Sequence, residues 1–219
     1  MKTVDIYTDG SCKCNPGPGG WGAVLCYGGV EKEICGGAPD TTNNRMELFG
    51  VIMALKQLKE PCEVEIYTDS AYVANAFNQN WITQWQLAGW KTASKSEVKN
   101  QDLWKSLLLE MQKHKITFFK VKGHADNEFN NRCDELAREQ DAKVDAKLAE
   151  VDAKLDDVDA RVTALEQSID AKFAEFEAKI NKSIEELTKI VTEQIEITQH
   201  LYQTFEADMK AYVDEELQK

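Results

Sequence analysis

The chain has 219 residues, 42% of them hydrophobic, and carries 38 acidic and 26 basic side chains, for a formal net charge of −12. This hydrophobic content excludes wholesale disorder, and no apolar run approaches the roughly 20 residues of a membrane-spanning helix. The N-terminus lacks the basic stretch followed by an apolar one that marks a signal peptide. We therefore expect neither a membrane segment nor a signal peptide.

Residue types are distributed unevenly along the chain. All 12 glycines, all 4 prolines, all 5 tryptophans and all 6 cysteines lie before residue 134, and residues 141–219 carry 20 acidic and 10 basic side chains. This split predicts a globular domain of near-neutral charge over 1–140 and an acidic tail over 141–219. A domain of this size needs no disulfides and the cysteines show no zinc-binding spacing, so we expect free thiols and a cytoplasmic protein.

Alternating apolar residues predict five strands in the first domain, over 3–8, 21–27, 31–34, 63–68 and 115–121. Helical spacing predicts helices over 42–59, 70–79, 81–88 and 100–112, and a further helix that begins near Asp126 or Asn127. The Pro and Gly residues between Asn15 and Gly20 predict a turn. Three strands followed by alternating helices and strands predict an α/β fold in which helices flank a mixed five-stranded sheet.

Nothing in the sequence ends the last helix, so we expect a long C-terminal α-helical coiled coil. Apolar residues recur in steps of four and three from Val144 to Ile169, and successive steps of four after Ile169 are stutters. One helix cannot bury such a stripe alone, and the absence of Gly and Pro disfavours a turn. We expect a parallel homo-oligomer, a dimer or a trimer; a different partner protein and an intramolecular fold-back are the alternatives.

Two segments of the first domain nearly repeat: Ile6-Tyr-Thr-Asp9 and Ile66-Tyr-Thr-Asp69. If the two strands are neighbours, both aspartates lie at their carboxyl ends, where open α/β sheets bind ligands. For either aspartate alone, a turn or a helix cap is the simpler interpretation. The repeat favours a site.

Two further acids are candidates for the same site. Glu47 lies on the apolar face of its predicted helix, where an unpaired carboxylate is costly, although Asn44 and Glu47 also have capping-box spacing. Asp134 lies in the last helix, where the alternative is an ordinary surface acid. Converging carboxylates repel one another, and a hard divalent cation such as Mg²⁺ removes that conflict.

These residues fall within motifs that resemble the bacterial-type (type 1) ribonuclease H family, which cuts the RNA strand of RNA–DNA hybrids. The resemblance covers residues 1–140 and leaves the tail unexplained. The matching segments include Tyr7-Thr-Asp-Gly-Ser11, Asn15-Pro-Gly-Pro-Gly-Gly-Trp-Gly22, Thr41-Thr-Asn-Asn-Arg-Met-Glu-Leu48, Tyr67-Thr-Asp-Ser70, Val121-Lys-Gly-His-Ala125 and Asn131-Arg-Cys-Asp-Glu-Leu-Ala137.

The resemblance implies a set of catalytic residues. The family's four metal-binding acids fall on Asp9, Glu47, Asp69 and Asp134, and its mobile catalytic histidine falls on His124. It implies two Mg²⁺ ions, for which Mn²⁺ can substitute, that clamp the scissile phosphate, activate water and stabilise the departing 3′ oxygen. The expected products are a 5′-phosphate and a 3′-hydroxyl. The near-neutral pKa of an unperturbed histidine suits proton transfer or help with product release.

The resemblance also implies contacts to the substrate. Cys12, Asn15 and Asn43 are expected at the minor groove, where the 2′-hydroxyl distinguishes RNA from DNA, and Asn15 and Thr42 at a DNA-strand phosphate. Ala71 departs from the Gln of many relatives, which weakens one expected contact.

A local excess of positive charge matches the family's basic protrusion. Residues 91–122 contain 8 lysines and 3 acids, and three of these lysines (Lys91, Lys95 and Lys99, here called the protrusion lysines) are expected to grip the hybrid backbone together with Trp81 and Trp90. For Trp81, packing of its own helix is the alternative.

The sequence thus predicts an RNA–DNA hybrid endonuclease whose coiled coil oligomerises or tethers it. One alternative is a hybrid-binding module without activity, against which the four acids and the histidine argue. The other is a tethering protein in which the coiled-coil rod is the main functional element.

Overall fold

The computed structural model describes residues 1–122 and 127–217, with side chains up to residue 210. Its strands are β1 (Lys2–Cys12), β2 (Gly17–Tyr27), β3 (Val30–Thr41), β4 (Cys62–Thr68) and β5 (Lys115–Lys120). Its helices are α1 (Asn43–Leu55), α2 (Ala71–Asn78), α3 (Trp81–Leu87), α4 (Gln101–Met111) and α5 (Glu128–Leu217). Each predicted strand and helix is confirmed, including the long last helix.

The strands form one mixed sheet in the order β3-β2-β1-β4-β5. The β1–β2 and β2–β3 pairs are antiparallel, and the β1–β4 and β4–β5 pairs are parallel. The two near-repeats lie side by side in register, with Ile6 opposite Ile66 and Thr8 opposite Thr68. This confirms that Asp9 and Asp69 follow neighbouring parallel strands.

The predicted turn before β2 is shorter than the Pro and Gly cluster suggests. Gly19 and Gly20 belong to β2 and pair with Cys12 and Ser11 of β1. A Cβ at Gly20 would collide with the carbonyl oxygen of Ala137 in α5. These glycines therefore serve the close approach of a helix to the sheet, which local turn propensity does not reveal.

Helices lie against both faces of the sheet. On one face Ile6, Leu25 and Ile66 pack in a large apolar cluster with residues of α1, α2 and α4. On the other face Val24 packs with Cys133 and other residues of α5 in a smaller cluster. Alternate residues of the same strands supply the two faces, so the sheet holds α1 and α5 on opposite sides of the strand ends.

The chain divides into two compact units, residues 1–153 and 154–219. The first unit includes the beginning of α5 beyond residue 140, the predicted domain end: Asp141 is buried, and a Cβ at Gly37 would meet Val144. The second unit is helical over its described residues. None of the helices in the described part of the chain combines the length and apolarity needed to span a bilayer, and the six cysteines are free thiols, as expected.

Candidate active site

A cleft of about 510 Å³ lies at the carboxyl ends of β1 and β4. All four predicted acids line it: Asp9, Glu47, Asp69 and Asp134. They come from β1, α1, the segment after β4 and α5, so four separate parts of the chain meet at this point. The cleft is where the sheet topology leads us to expect ligand binding.

Asp9 is the most buried acid of the cleft, with 8% of its surface exposed. Its Oδ1 accepts a hydrogen bond of 2.7 Å from the backbone N–H of Gly10, and a Cβ at Gly10 would collide with the backbone nitrogen of Glu47. Burial raises the pKa of Asp9 to about 7, with a further contribution from the charge of Asp69 and smaller ones from Asp134 and Glu47. Asp9 therefore sits in a field of net negative charge.

Glu47 is held by two side-chain hydrogen bonds. Its Oε1 accepts from Asn43 Nδ2 at 2.9 Å, and its Oε2 accepts from the hydroxyl of Ser70. Burial raises its pKa to about 7, aided by the charge of Asp69 and opposed by the two hydrogen bonds. Neither bond is a capping-box bond, since α1 begins after Thr42 without a side-chain cap. The capping interpretation of Glu47 is therefore not what the structure shows.

Ser70 links this carboxylate to the next helix. It precedes α2, and its Oγ accepts a hydrogen bond of 3.2 Å from the backbone N–H of Val73. The same hydroxyl donates a hydrogen bond to Glu47, so one residue both caps α2 and orients a cleft acid. Ser70 was not among the predicted site residues, although its position directly after Asp69 is a signal visible in the sequence.

Asp134 differs from the other acids because it has a cationic neighbour. Arg138, one turn later on α5, donates from Nε to Asp134 Oδ1 at 2.8 Å and also lines the cleft. The i,i+4 spacing of this pair is visible in the sequence, and Arg138 was not among the predicted site residues. Asp69 has no such pair among the described contacts.

The donor set of the cleft fits a hard divalent cation. All four acids offer oxygen ligands, and burial, followed by the charge of Asp69, raises the pKa of Asp9 and Glu47. Within the described residues, no three His, Cys, Asp or Glu side chains are arranged closely enough to hold an ion by themselves. An open site of this kind suits Mg²⁺, which usually keeps waters and takes substrate phosphate oxygens as further ligands. His124 lies outside the described residues.

The predicted minor-groove residues lie at or beside the cleft. Cys12 and Asn43 line it, and Asn15 Oδ1 accepts a hydrogen bond of 3.2 Å from the backbone N–H of Asn43. Thr42, the residue before α1, adjoins them. The structure thus joins the β1–β2 loop to the start of α1 on one rim of the site.

One further residue on this rim was missed because it lies beyond the predicted domain end. The side chain of Asp141 is buried, with Oδ2 accepting from the backbone N–H of Lys13 at 3.1 Å and from Ser11 Oγ at 3.4 Å. Its carboxylate therefore ties the β1–β2 loop to α5. No local pattern in the sequence marks such a contact between residues about 130 positions apart.

The protrusion lysines do not line the carboxylate cleft. All three are exposed, and none forms an ion pair within the described part of the chain. A backbone bridge between Lys91 and Glu97 closes the loop that carries them. Their charge is therefore available to an external anion.

The two predicted substrate-binding tryptophans both pack against the core. Trp81 lies 6.1 Å from Trp85 between ring centroids, and both are partly buried. The structure thus supports the packing interpretation of Trp81. The Trp90 ring holds the ammonium of Lys105 at 5.1 Å from its centroid, a cation–π contact.

Comparison with known proteins gives consistent results over the first two-thirds of the chain. The sequence profile of the RNase H family matches residues 1–142. Ribonuclease H of Acetivibrio thermocellus is 59% identical over 147 residues, which are 67% of this chain and all of that protein. Ribonuclease H of Chlorobaculum parvum is 61% identical over 137 residues, 63% of this chain and 94% of that protein.

A solved structure is similar over the same region. The crystal structure of LC9-RNase H1, described as a type 1 RNase H with the type 2 active-site motif, aligns with a TM-score of 0.59 and 30% identity. The alignment covers 65% of this chain and 74% of that one. These similarities concern the unit that contains the carboxylate cleft.

Proposed function

The chain belongs to the ribonuclease H family and is an enzyme that hydrolyses the RNA of RNA–DNA hybrids, and we propose that it works as a two-metal endonuclease. The products are a 5′-phosphate and a 3′-hydroxyl. The observation that carries this proposal is the cleft in which four carboxylates from separate elements meet. Their mutual repulsion and burial favour a bound divalent cation over an empty site.

Asp9, Glu47, Asp69 and Asp134 are the residues that would hold the two ions, Mg²⁺ or in its place Mn²⁺. When bound, the ions supply activation of the attacking water and stabilisation of the charge on the departing 3′ oxygen. The oxygen-only donor set supports this choice of metal.

The protein's own groups keep the acids in place for this role. The Gly10 N–H fixes one oxygen of Asp9, and the side chains of Asn43 and Ser70 fix both oxygens of Glu47. Holding carboxylates before the metal and substrate arrive lowers the reorganisation needed at the reacting centre. For His124 we propose proton transfer or help with product release, on the strength of the family resemblance alone.

We propose that the substrate lies across the cleft rim and the protrusion. Cys12, Asn15 and Asn43 would meet the minor groove, and Asn15 with Thr42 a DNA-strand phosphate. The hydrogen bond between Asn15 and Asn43 supports a joint role, since it links the loop to the helix at the rim.

The protrusion supplies charge rather than sequence recognition. The protrusion lysines, with Trp81 and Trp90, would hold the hybrid backbone, and the exposure of the three lysines supports this. Because both tryptophans pack against the core, they would mainly hold the protrusion in place, and the lysines would make the contacts to phosphate.

For the tail, 141–219, we propose self-association as a dimer or trimer. The alternative keeps the tail as a tether and makes it the main functional element of the chain. The exposed apolar residues that recur along α5 favour association, because such a stripe is buried in stable helical proteins.

The test of the proposed reaction is a cleavage assay with a short hybrid labelled on the RNA strand. We expect internal cuts that need Mg²⁺ or Mn²⁺, stop with a chelator and leave 5′-phosphate and 3′-hydroxyl ends. Replacement of Asp69 by Asn should abolish cleavage. Trimming from one end only, or undiminished cleavage in the presence of a chelator, would contradict the proposal.

A further inference from the structure

The second unit carries an apolar stripe along α5 that is exposed in the single chain. Leu155 is 58% and Val162 is 49% exposed. With Val158 and Leu165 between and after them, they follow one another in steps of three and four, the spacing of a coiled-coil seam. In heptad terms Leu155 and Val162 occupy a positions, and Val158 and Leu165 occupy d positions.

The charges beside this seam are ordered. The g positions, directly before each a residue, are Lys154 and Arg161, and the e positions, directly after each d residue, are Asp159 and Glu166. All four are exposed. Among the described contacts, Arg161 has a long one of 3.8 Å to Asp157 on its own helix, and its exposed side chain can reach a neighbouring helix. In these two heptads each g position is therefore basic and each e position acidic.

In a parallel pair, the g residue of one helix lies beside the e residue of the following heptad on the other; in an antiparallel pair, g faces g and e faces e. We propose that α5 associates in parallel and in register with a second copy of this chain, with Lys154 beside the second copy's Asp159 and Arg161 beside its Glu166. An antiparallel pair would set lysine against arginine and acid against acid. This rests on the proposed self-association of the tail; it gives the expected parallel orientation a basis in named charge pairs and adds the register.

The apolar period supports the same orientation independently. After Ile169 the period lengthens, because Ile169, Ile180 and Val191 follow one another every 11 residues. The intervals between them hold further apolar residues, namely Phe173 and Phe176, then Ile184 and Leu187. A seven-residue repeat imposes a left-handed supercoil and an 11-residue repeat a right-handed one. Parallel copies in register match like segments throughout, whereas antiparallel copies would set one hand against the other.

The test uses the full-length chain and a charge-swapped variant of it that carries four substitutions. These are Lys154→Glu, Asp159→Lys, Arg161→Glu and Glu166→Lys. In the parallel arrangement, two copies of the swapped chain form every g–e pair with the charges reversed. A swapped chain beside a natural chain sets like charges against each other at the same positions. When the two are co-expressed with different tags, native mass spectrometry should therefore find homotypic assemblies favoured over mixed ones by about tenfold.

A matched control changes charge on the outer face of the same heptads. Asp156→Lys with Thr163→Glu and Gln167→Glu, at b and f positions, keeps the net charge and should leave the natural and altered chains to mix at random. An excess of mixed assemblies with the charge-swapped chain would show antiparallel pairing, and random mixing would show that the flanking charges do not pair. Either result overturns the proposal while leaving self-association intact.

Sedimentation of the natural chain tests self-association separately from the orientation of the helices. A monomer at micromolar concentration overturns self-association and the orientation with it. Cleavage of a short hybrid, measured on each variant, should stay at the natural rate, because none of the changed residues lies in the first unit. If the natural chain does not cleave a hybrid at all, the nuclease proposal is contradicted and the orientation of α5 is unaffected.

Discussion

Replacement of Asp9 by Asn tests the electrostatics of the cleft directly. The amide keeps the shape of the side chain and an oxygen that can accept from the Gly10 N–H, but it loses the charge that binds a cation. We expect the variant to lose cleavage and to bind a hybrid at least as well as the natural chain, because one negative charge facing the phosphates is gone.

The magnitude follows from the raised pKa of Asp9. A rise from 3.8 to about 7 means that the ionised group disfavours the folded, metal-free protein by up to about 4 kcal/mol. Burial of the asparagine amide also has a desolvation cost, which cancels part of this gain. We therefore expect Asp9→Asn to raise the free energy of unfolding by about 2 kcal/mol at about pH 8 in a chelator.

The sign of the pH dependence is fixed by the direction of this shift. Between about pH 4 and pH 7 the folded protein holds a proton on Asp9 that the unfolded chain has lost, so the stability of the natural chain falls as pH rises through this window. The natural chain should gain about 3 kcal/mol between pH 8 and pH 5, so the stabilisation by Asn should vanish or turn into a slight destabilisation at pH 5. Urea denaturation at both pH values measures it.

Two further measurements make the result decisive. Mg²⁺ at about 100 times its Kd should stabilise the natural chain by about 2.7 kcal/mol and the variant much less. Asp5→Asn, four residues earlier on β1 and outside the cleft, is the matched control and should keep both cleavage and the Mg²⁺ effect. Near-natural cleavage by the Asp9 variant, or equal stabilisation by Mg²⁺ in both, would refute the reasoning.

The remaining predictions concern the rim, the protrusion and the tail. Replacing the protrusion lysines with Ala should raise KM and lower the log–log salt slope of binding by about 0.9 for each lost phosphate contact. Asp141→Ala should raise KM more than it changes kcat and speed amide exchange at Lys13, because it releases the β1–β2 loop. Ser70→Ala should raise the pKa of Glu47 further, moving the acid limb of the cleavage profile to higher pH, and should destabilise α2 by about 1 kcal/mol. Placing Asp at both Leu155 and Val162 should dissociate the oligomer without changing cleavage of a short hybrid.

Each of these has a control and an adverse outcome. An unchanged salt slope would mean that the lysines do not touch the backbone, and Lys59→Ala serves as the control. Asp145→Ala removes the same charge one turn after Asp141, and no hydrogen bond from Asp145 to the loop is among the described contacts, so an equal effect would show a general charge effect. Ser70→Thr is the control, and it should keep the hydrogen bonds to Glu47 and to the N–H of Val73. Tail variants that remain oligomeric would contradict the coiled-coil seam.

The pairing of β1 with β4 shows how far local sequence reaches. Ile6-Tyr-Thr-Asp9 and its counterpart at 66–69 carry the alternation of half-buried strands, and their likeness predicted that the two aspartates meet. Periodicity acts over a few residues, and strand and helix propensity act on the same scale. The five strands, the helices and the meeting of Asp9 with Asp69 were therefore predictable from sequence. Glu47 and Asp134 were candidates from their places on helices, and the family motifs joined them to the same expected set.

Properties that depend on contacts between residues far apart in the sequence were decided only by the tertiary structure. The near-neutral pKa of Asp9 and Glu47 arises from burial and from Asp69, which the chain brings close only by folding. The glycines before β2 serve the approach of α5, although turn propensity predicted a loop there. Asp141, assigned by composition to the tail, instead anchors the loop at Lys13. Hydrogen bonds, burial and Coulomb forces act between atoms that are neighbours in space, and only the folded chain determines which atoms those are.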